Sequence, residues 1–434
     1  MDLRMLSVLI GSTAFALASE PPLRLLVLGG NGFLGLEFVE AAAARFPEAT
    51  LTLVHRGNSY WGSVSVLKKL KVTEVVCSRS DIARCAAISN KEFDWVVDFS
   101  AQNGSDVKQS MISVNVKGYL HISSEAVYGP VVPFVRAPLK EYAYVKPHKM
   151  NWISDKIMRT DPYLVAKIEQ EEVLFQYSTW KQMCATALRL PFVIGRRDST
   201  HRLAQLLLLL EAGDITLSAA SRVPISFVDA RSVASAALHV IAGGQSERVC
   251  GKAFNVAQPP MSLETLLRSA AEPGSTPLKN RTKSALLPMT TAQGIFPPIV
   301  YSQLLPFTLS GARFEKLGWR PPLPLAAAVA EAAQYTREHL FQSKETHPAE
   351  RAGLADKASL LLAKDSSLGG LPSVMRRYGL ESGGAPPAKQ LGISTILQIL
   401  AGLAAATYLL VKLMKWSRAS SDATRKRKAA GHRD

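Results

Sequence analysis

The chain has 434 residues, 47% hydrophobic and 20% charged, enough apolar material for a sizeable core, which excludes disorder of the whole chain. Of the formal charge of +16, +6 lies between Lys412 and Asp434, where eight Lys and Arg face two Asp, and the rest is spread thinly over the body, so a nucleic-acid partner is not expected. Four cysteines, Cys77, Cys85, Cys184 and Cys250, show no CxxC spacing and no Cys/His cluster; they read as buried thiols, with no metal site implied.

Met5 to Ala18 is an apolar run with Ala16 and Ala18 at A-x-A spacing, and it predicts a signal peptide over residues 1–18. From Leu23 to about Val240 short apolar strands alternate with amphipathic helical stretches, the pattern of βαβ units and a parallel sheet. Strands are predicted at Arg24 to Leu28, Thr50 to Val54, Glu74 to Cys77, Trp95 to Phe99, Tyr119 to Ser123 and Thr186 to Leu190.

The first strand runs into Gly29-Gly30-Asn31-Gly32-Phe33-Leu34-Gly35, and a helix follows from Leu36 to Arg45. Glycines let a backbone turn tightly and approach a pyrophosphate, while a helix N-terminus offers unpaired N–H groups and the positive end of its dipole. A dinucleotide site is predicted there. At the end of the second strand, where an NAD site usually has a carboxylate, His55-Arg56-Gly57 stand instead, and the Arg56 fork suits a 2′-phosphate. NADP is therefore the expected cofactor, with NAD left open.

Tyr163-Leu164-Val165-Ala166-Lys167 places a tyrosine and a lysine at i and i+4, on one face of a helix. A positive charge beside a phenol favours the phenolate, so the Lys167 ammonium and the nicotinamide charge together are expected to lower the Tyr163 pKa and let Tyr163 exchange a proton with a substrate oxygen. Ser124, just past the fifth strand, is expected to hydrogen-bond the same oxygen. Ser124 and Tyr163 lie 39 residues apart, and the segment between them is read as shaping the substrate pocket. Asn115 is read as part of the loop before the fifth strand.

In order, GGNGFLG, LVHRG, SDI at Ser80 to Ile82, HISSEAVYG, YLVAK and RLPFVIGRRD resemble the extended and atypical short-chain dehydrogenase/reductases of the NAD-dependent epimerase/dehydratase group. Further on, PISFVDARSVASAAL, GKAFNVAQPPMSLETL and FEKLGWRPPLPL resemble the group's later elements, so the likeness runs from Leu23 to about Leu340. It implies a Rossmann doubly wound parallel sheet with a smaller C-terminal substrate region. It implies also a Ser-Tyr-Lys arrangement of Ser124, Tyr163 and Lys167, with Asp81 on the adenine and Ser100 and Ala101 lining the cofactor.

Ile393 to Val411 is a 19-residue stretch without a charge, enough for a helix to cross roughly 30 Å of hydrocarbon, and Lys412, Lys415 and Trp416 follow as interfacial anchors. The expected organisation is a signal peptide (1–18), a Rossmann domain (19–194), a substrate region (195–340), a flexible polar stalk (341–390), a transmembrane helix (391–416) and a basic tail (417–434). That arrangement implies a single-pass protein of the endoplasmic reticulum or another secretory membrane, its body lumenal. The expected activity is that of an NAD(P)-dependent oxidoreductase, epimerase or dehydratase acting on an alcohol or carbonyl of a nucleotide-sugar or lipid-like small molecule. A homodimer is left open, and the alternative is a non-catalytic dinucleotide-binding scaffold.

Overall fold

A computed structural model describes residues 21–89, 91–131, 136–144, 161–217, 219–271, 279–280, 308–342, 347–364 and 368–380. Seven parallel strands make the main sheet: β1 (Arg24–Leu28), β2 (Thr50–His55), β3 (Val72–Val76), β4 (Glu92–Asp98), β5 (Asn115–Ser124), β6 (Cys184–Leu190) and β7 (Lys252–Asn255), in the spatial order β7-β6-β5-β4-β1-β2-β3. The order reverses at β1, so β2 and β4 flank it and the loops at the carboxyl ends of β1 and β4 part to leave a crevice. Leu25, Leu26, Val27 and Leu28 are all but fully buried, because a strand covered by helices on both faces has no solvent side. Each such side chain contributes about 1.5–3 kcal/mol.

Helices α1 (Phe33–Arg45), α2 (Gly104–Ser113), α3 (Pro162–Lys181), α4 (Arg202–Ala212), α5 (Ala230–Ala242), α6 (Leu263–Ala270) and α7 (Leu325–Thr336) follow in chain order. α1 and α5 share one apolar layer with the sheet, through Leu36, Phe38, Val39, Val233 and Ala237. α2 and α3 supply the other, through Val107, Met111 and Leu174. The helix carrying Tyr163 and Lys167 starts where it does because the Asp161 side chain accepts from Leu164 N and Pro162 occupies the first turn. Asn115 opens β5 and is exposed, at the end of the strand away from Ser124.

Several expectations are corrected. The stretch read as a flexible stalk instead holds helices α8 (Pro348–Lys364) and α9 (Leu371–Tyr378), which bury Leu354, Ala355, Ala358, Leu371, Val374 and Met375 in one cluster with the leucines of α4. The apolar residues of α8 and α9 recur at helical spacing, and the polar composition around them hides it. The cysteines are not free: Cys77 pairs with Cys85, and Cys184 pairs with Cys250. Among the described residues no helix is long and apolar enough to cross a membrane, and the fold they form is α/β with a parallel seven-stranded sheet. The span predicted at Ile393 to Val411, like the leader over 1–18, lies outside the described residues. Residues 383–434 separate as a second unit, also outside them.

Candidate active site

The glycine-rich turn after β1 is tied down by Gly29 N donating to Val54 O (3.0 Å) and Gly32 N to Gly29 O (3.2 Å). A Cβ on Gly35 would lie 2.1 Å from Gly29 O, and Gly29 itself adopts φ +80° with Ser100 close by, so neither position admits a side chain. Gly32 caps α1 without any side-chain cap, which leaves the first-turn N–H groups facing a ligand. Gly29, Asn31 and Gly32 line a cleft of about 920 Å³, within the size range of small-molecule sites. Such a backbone cradle fits a pyrophosphate.

Arg56, Asn58 and Tyr60 form one wall of this cleft, and Arg79, Ser100 and Ala101 another. Arg56 is exposed, and among the described residues no carboxylate pairs with it. Phe33 and Leu34 do not line the cleft; Phe33 turns its ring toward Gly195, so what these two offer is their backbone at the helix start. Gly35 likewise contributes by close packing rather than by lining. Asp81 is exposed and off the cleft, while its neighbours Arg79 and Ile82 line it, correcting the expectation for the SDI segment.

The missed residue in that segment is Arg79. Its guanidinium forks onto Asp98 (Nη1 to Oδ1 2.7 Å, Nη2 to Oδ2 2.6 Å) and also reaches Ser100 Oγ (3.0 Å) and Ser110 Oγ (3.0 Å). Burial alone would raise the Asp98 pKa, but the adjacent Arg79 charge outweighs it and holds the carboxyl well below its ordinary range. Tyr119 donates to Asp98 Oδ2 at 2.6 Å, and burial together with that carboxylate lifts the phenol's pKa. Asp98 Oδ1 in turn accepts from Ser100 N (3.0 Å) and Ala101 N (3.1 Å), so the ion pair shapes the loop that lines the cleft.

Tyr163 and Lys167 line this cleft, whereas Ser124, at the end of β5, is not among its lining residues. The Ser124 hydroxyl accepts from Ala126 N (3.2 Å), and the Lys167 ammonium sits 5.9 Å from the Tyr163 ring centre. Tyr163 is 57% exposed as a residue; partial desolvation raises its pKa, and the nearby Ser124 hydroxyl opposes the shift. The protein groups alone raise the Tyr163 pKa, and the expected lowering calls on the nicotinamide charge as well as Lys167. Burial pushes Lys167 down to about 8, against the pull of Asp98 and Glu171. Lys167 Nζ donates to Ile122 O (3.3 Å) and Gln170 Oε1 (2.9 Å), and Gln170 Nε2 donates to Ala101 O (3.2 Å), a chain that links α3 to the loop after β4.

A second residue escaped the sequence reading although it stands beside Ser124. Glu125 is buried, its Oε2 has no hydrogen-bond partner among the described residues, and burial raises its pKa well above the carboxylate range against the opposing charge of Arg202. A carboxyl held neutral in this way can donate a proton. Its charge in the sequence pointed to a solvated position.

A model described as the NAD dependent epimerase/dehydratase family matches residues 25–257, more than half of the chain. No curated protein matches it. Among solved structures, a UDP-galactose 4-epimerase is similar at 19% identity and TM-score 0.55, covering 74% of this chain and 100% of that one. The UDP-glucuronic acid 4-epimerase from Bacillus cereus in complex with NAD is similar at 13% identity and TM-score 0.55, covering 73% and 99%. A dTDP-glucose 4,6-dehydratase from Streptomyces venezuelae with NAD and TYD bound is similar at 17% identity and TM-score 0.53, covering 73% and 97%. At these identities the likeness shows a shared fold.

Proposed function

Because the chain belongs to the NAD dependent epimerase/dehydratase family, a family of NAD-dependent enzymes, we propose that it holds a nicotinamide dinucleotide in the 920 Å³ cleft and acts on an alcohol carbon of a nucleotide sugar through Ser124, Tyr163 and Lys167. The observation that carries this reading is the meeting of Tyr163 and Lys167 with Gly29, Asn31, Gly32 and the Ser100-Ala101 loop in one cleft. Bound there, the nicotinamide supplies a hydride acceptor and donor. The chain itself handles the proton: Tyr163 takes it from the substrate hydroxyl and Ser124 hydrogen-bonds the same oxygen. Since its own surroundings raise the Tyr163 pKa, positive charge has to draw that proton away, and Lys167 supplies it below its pKa of about 8.

Unpaired Arg56 at the cleft wall supports NADP over NAD. Neutral Glu125 supports a dehydratase over a plain epimerase, because expelling a hydroxyl as water needs an acid that still carries its proton. The paired cysteines support an oxidising, secretory compartment.

Mass spectrometry of the dinucleotide released from purified protein, followed by incubation with UDP-glucose, UDP-galactose and dTDP-glucose, tests the reading. Bound NADP or NAD and a Tyr163-dependent product are expected, the product one water lighter than the substrate if Glu125 acts as the acid. A protein that binds neither dinucleotide overturns it; one that binds but never turns over is the scaffold.

A further inference from the structure

Two loops that line the cleft are held by one carboxylate from outside the family's matched region. The loop from Arg56 to Gly62 contributes Arg56, Asn58 and Tyr60, and the turn from Asp198 to His201 contributes Ser199. Each contains a non-glycine residue in the left-handed backbone region, Trp61 at φ 45° and His201 at φ 56°. Side chains rarely adopt that conformation, and it persists only where the surroundings impose it. Both residues meet Glu350 in the first turn of α8: Oε1 accepts from Trp61 N at 3.3 Å and Oε2 pairs with His201 Nε2 at 3.0 Å.

The neighbouring lysine decides who donates to whom. Lys357 Nζ, which has only donors, donates to Thr200 O at 2.6 Å and stands 3.4 Å from His201 Nδ1, so Nδ1 is the acceptor and Nε2 carries the proton toward Glu350. Glu350 thus satisfies two buried donors with its two oxygens and is itself only 7% exposed. Asn31 extends the connection, its Nδ2 donating to Asn58 O and so tying the first loop to the glycine-rich turn. α8 lies beyond residues 25–257, so this bridge is additional to the part of the chain that carries the family likeness.

We propose that Glu350 is a positioning residue that locks the Arg56 loop to the Ser199 turn, so that these two cleft-lining segments loosen or tighten as one; the proposal rests on the reading of that cleft as the dinucleotide site. Glu350→Gln keeps the shape but leaves one acceptor for two donors. Amide hydrogen exchange on the ligand-free full chain is expected to speed up tenfold or more in both segments, 57–62 and 198–202, while α2 and α3 keep their rates. NADP is expected to bind at least fivefold more weakly. His201→Asn, a residue type that tolerates left-handed backbone, breaks the bridge from its other end and should give the same pattern. Tyr378→Phe removes a hydrogen bond between α9 and Glu211 of α4; it should lower the Tm yet leave loop exchange and NADP affinity unchanged.

Wild-type exchange rates in either segment of both bridge variants overturn the proposal, as does joint protection of the two segments by NADP in Glu350→Gln as strong as in the wild type. If neither NADP nor NAD protects the wild-type cleft, the dinucleotide reading has failed, and the ligand-free rates still decide whether Glu350 couples the loops.

Discussion

Replacing Arg79 with Met tests the buried ion pair behind the cleft. Asp98 is fully buried and accepts from five donors: both Arg79 Nη atoms, the Tyr119 hydroxyl, Ser100 N and Ala101 N. Methionine fills much of the arginine stem's space but removes the two shortest nitrogen contacts and the positive charge hydrogen-bonded to the carboxylate. Stranding one member of a buried pair costs about 3–5 kcal/mol, a large part of the roughly 5–15 kcal/mol that holds a typical domain together. Urea unfolding followed by circular dichroism should show a lower midpoint at unchanged slope. Without the Arg79 charge, the Asp98 pKa moves up, so acid unfolding should begin at higher pH than in the wild type. Adding Asp98→Asn to Arg79→Met removes the stranded charge, and the double variant should be more stable than the sum of the single losses predicts, by about 1–3 kcal/mol. A loss under about 1 kcal/mol, the scale of a surface pair, or strict additivity in the double variant, would refute the argument.

Tyr163→Phe should leave folding and dinucleotide binding intact while turnover on the accepted nucleotide sugar falls about 10² to 10⁴-fold, with a smaller fall for Ser124→Ala; full activity in Tyr163→Phe would move the proton transfer elsewhere. Arg56→Ala should weaken NADP by about 1.5–3 kcal/mol, the range for a hydrogen bond to a charged group, and spare NAD; calorimetry showing equal losses for both contradicts the assignment. His121, fully buried with neither ring nitrogen partnered among the described residues, has its pKa pushed down to about 4 by burial and the Lys167 charge. The fold keeps it neutral while the unfolded chain takes up a proton from the ordinary 6.5 downward, so stability present above pH 6.5 is lost as pH falls toward 4, by up to about 3 kcal/mol. His121→Leu should flatten the stability curve over that window, and an unchanged slope would mean the ring does not titrate there.

The parts of the site that were legible in the sequence share one property: their residues are close together in the chain. Gly29 to Gly35 and the Tyr163–Lys167 pair declare themselves because a tight turn and a helix face are local geometries. Asp98 looked like an ordinary strand end, and its role depends on Arg79, 19 positions earlier, which the 3₁₀ turn after β3 sets against α2 and the end of β4. Asp81 came from the family resemblance, and local pattern cannot say which side of a short 3₁₀ turn faces inward; Ile82 is the buried residue there, and Asp81 faces solvent. The stalk was misread for a different reason. Composition averaged over residues 341–390 is polar, whereas folding responds to the narrow stripe of Leu354, Ala358, Leu371 and Val374 once α4 offers an apolar surface for it.

By itself the sequence determined the alternation of strands and helices, the glycine cradle and the placing of Tyr163 and Lys167 on one helix face, because hydrophobic period, backbone freedom and i, i+4 spacing are properties of neighbours along the chain. Tertiary structure alone decided the electrostatics. It buried Asp98 against Arg79, kept Glu125 neutral, raised the Tyr163 pKa, and set Glu350 between two loops 289 and 149 residues away. Each outcome depends on how much water is removed from a group and which charge then stands beside it, and only the packed sheet and its helices determine both.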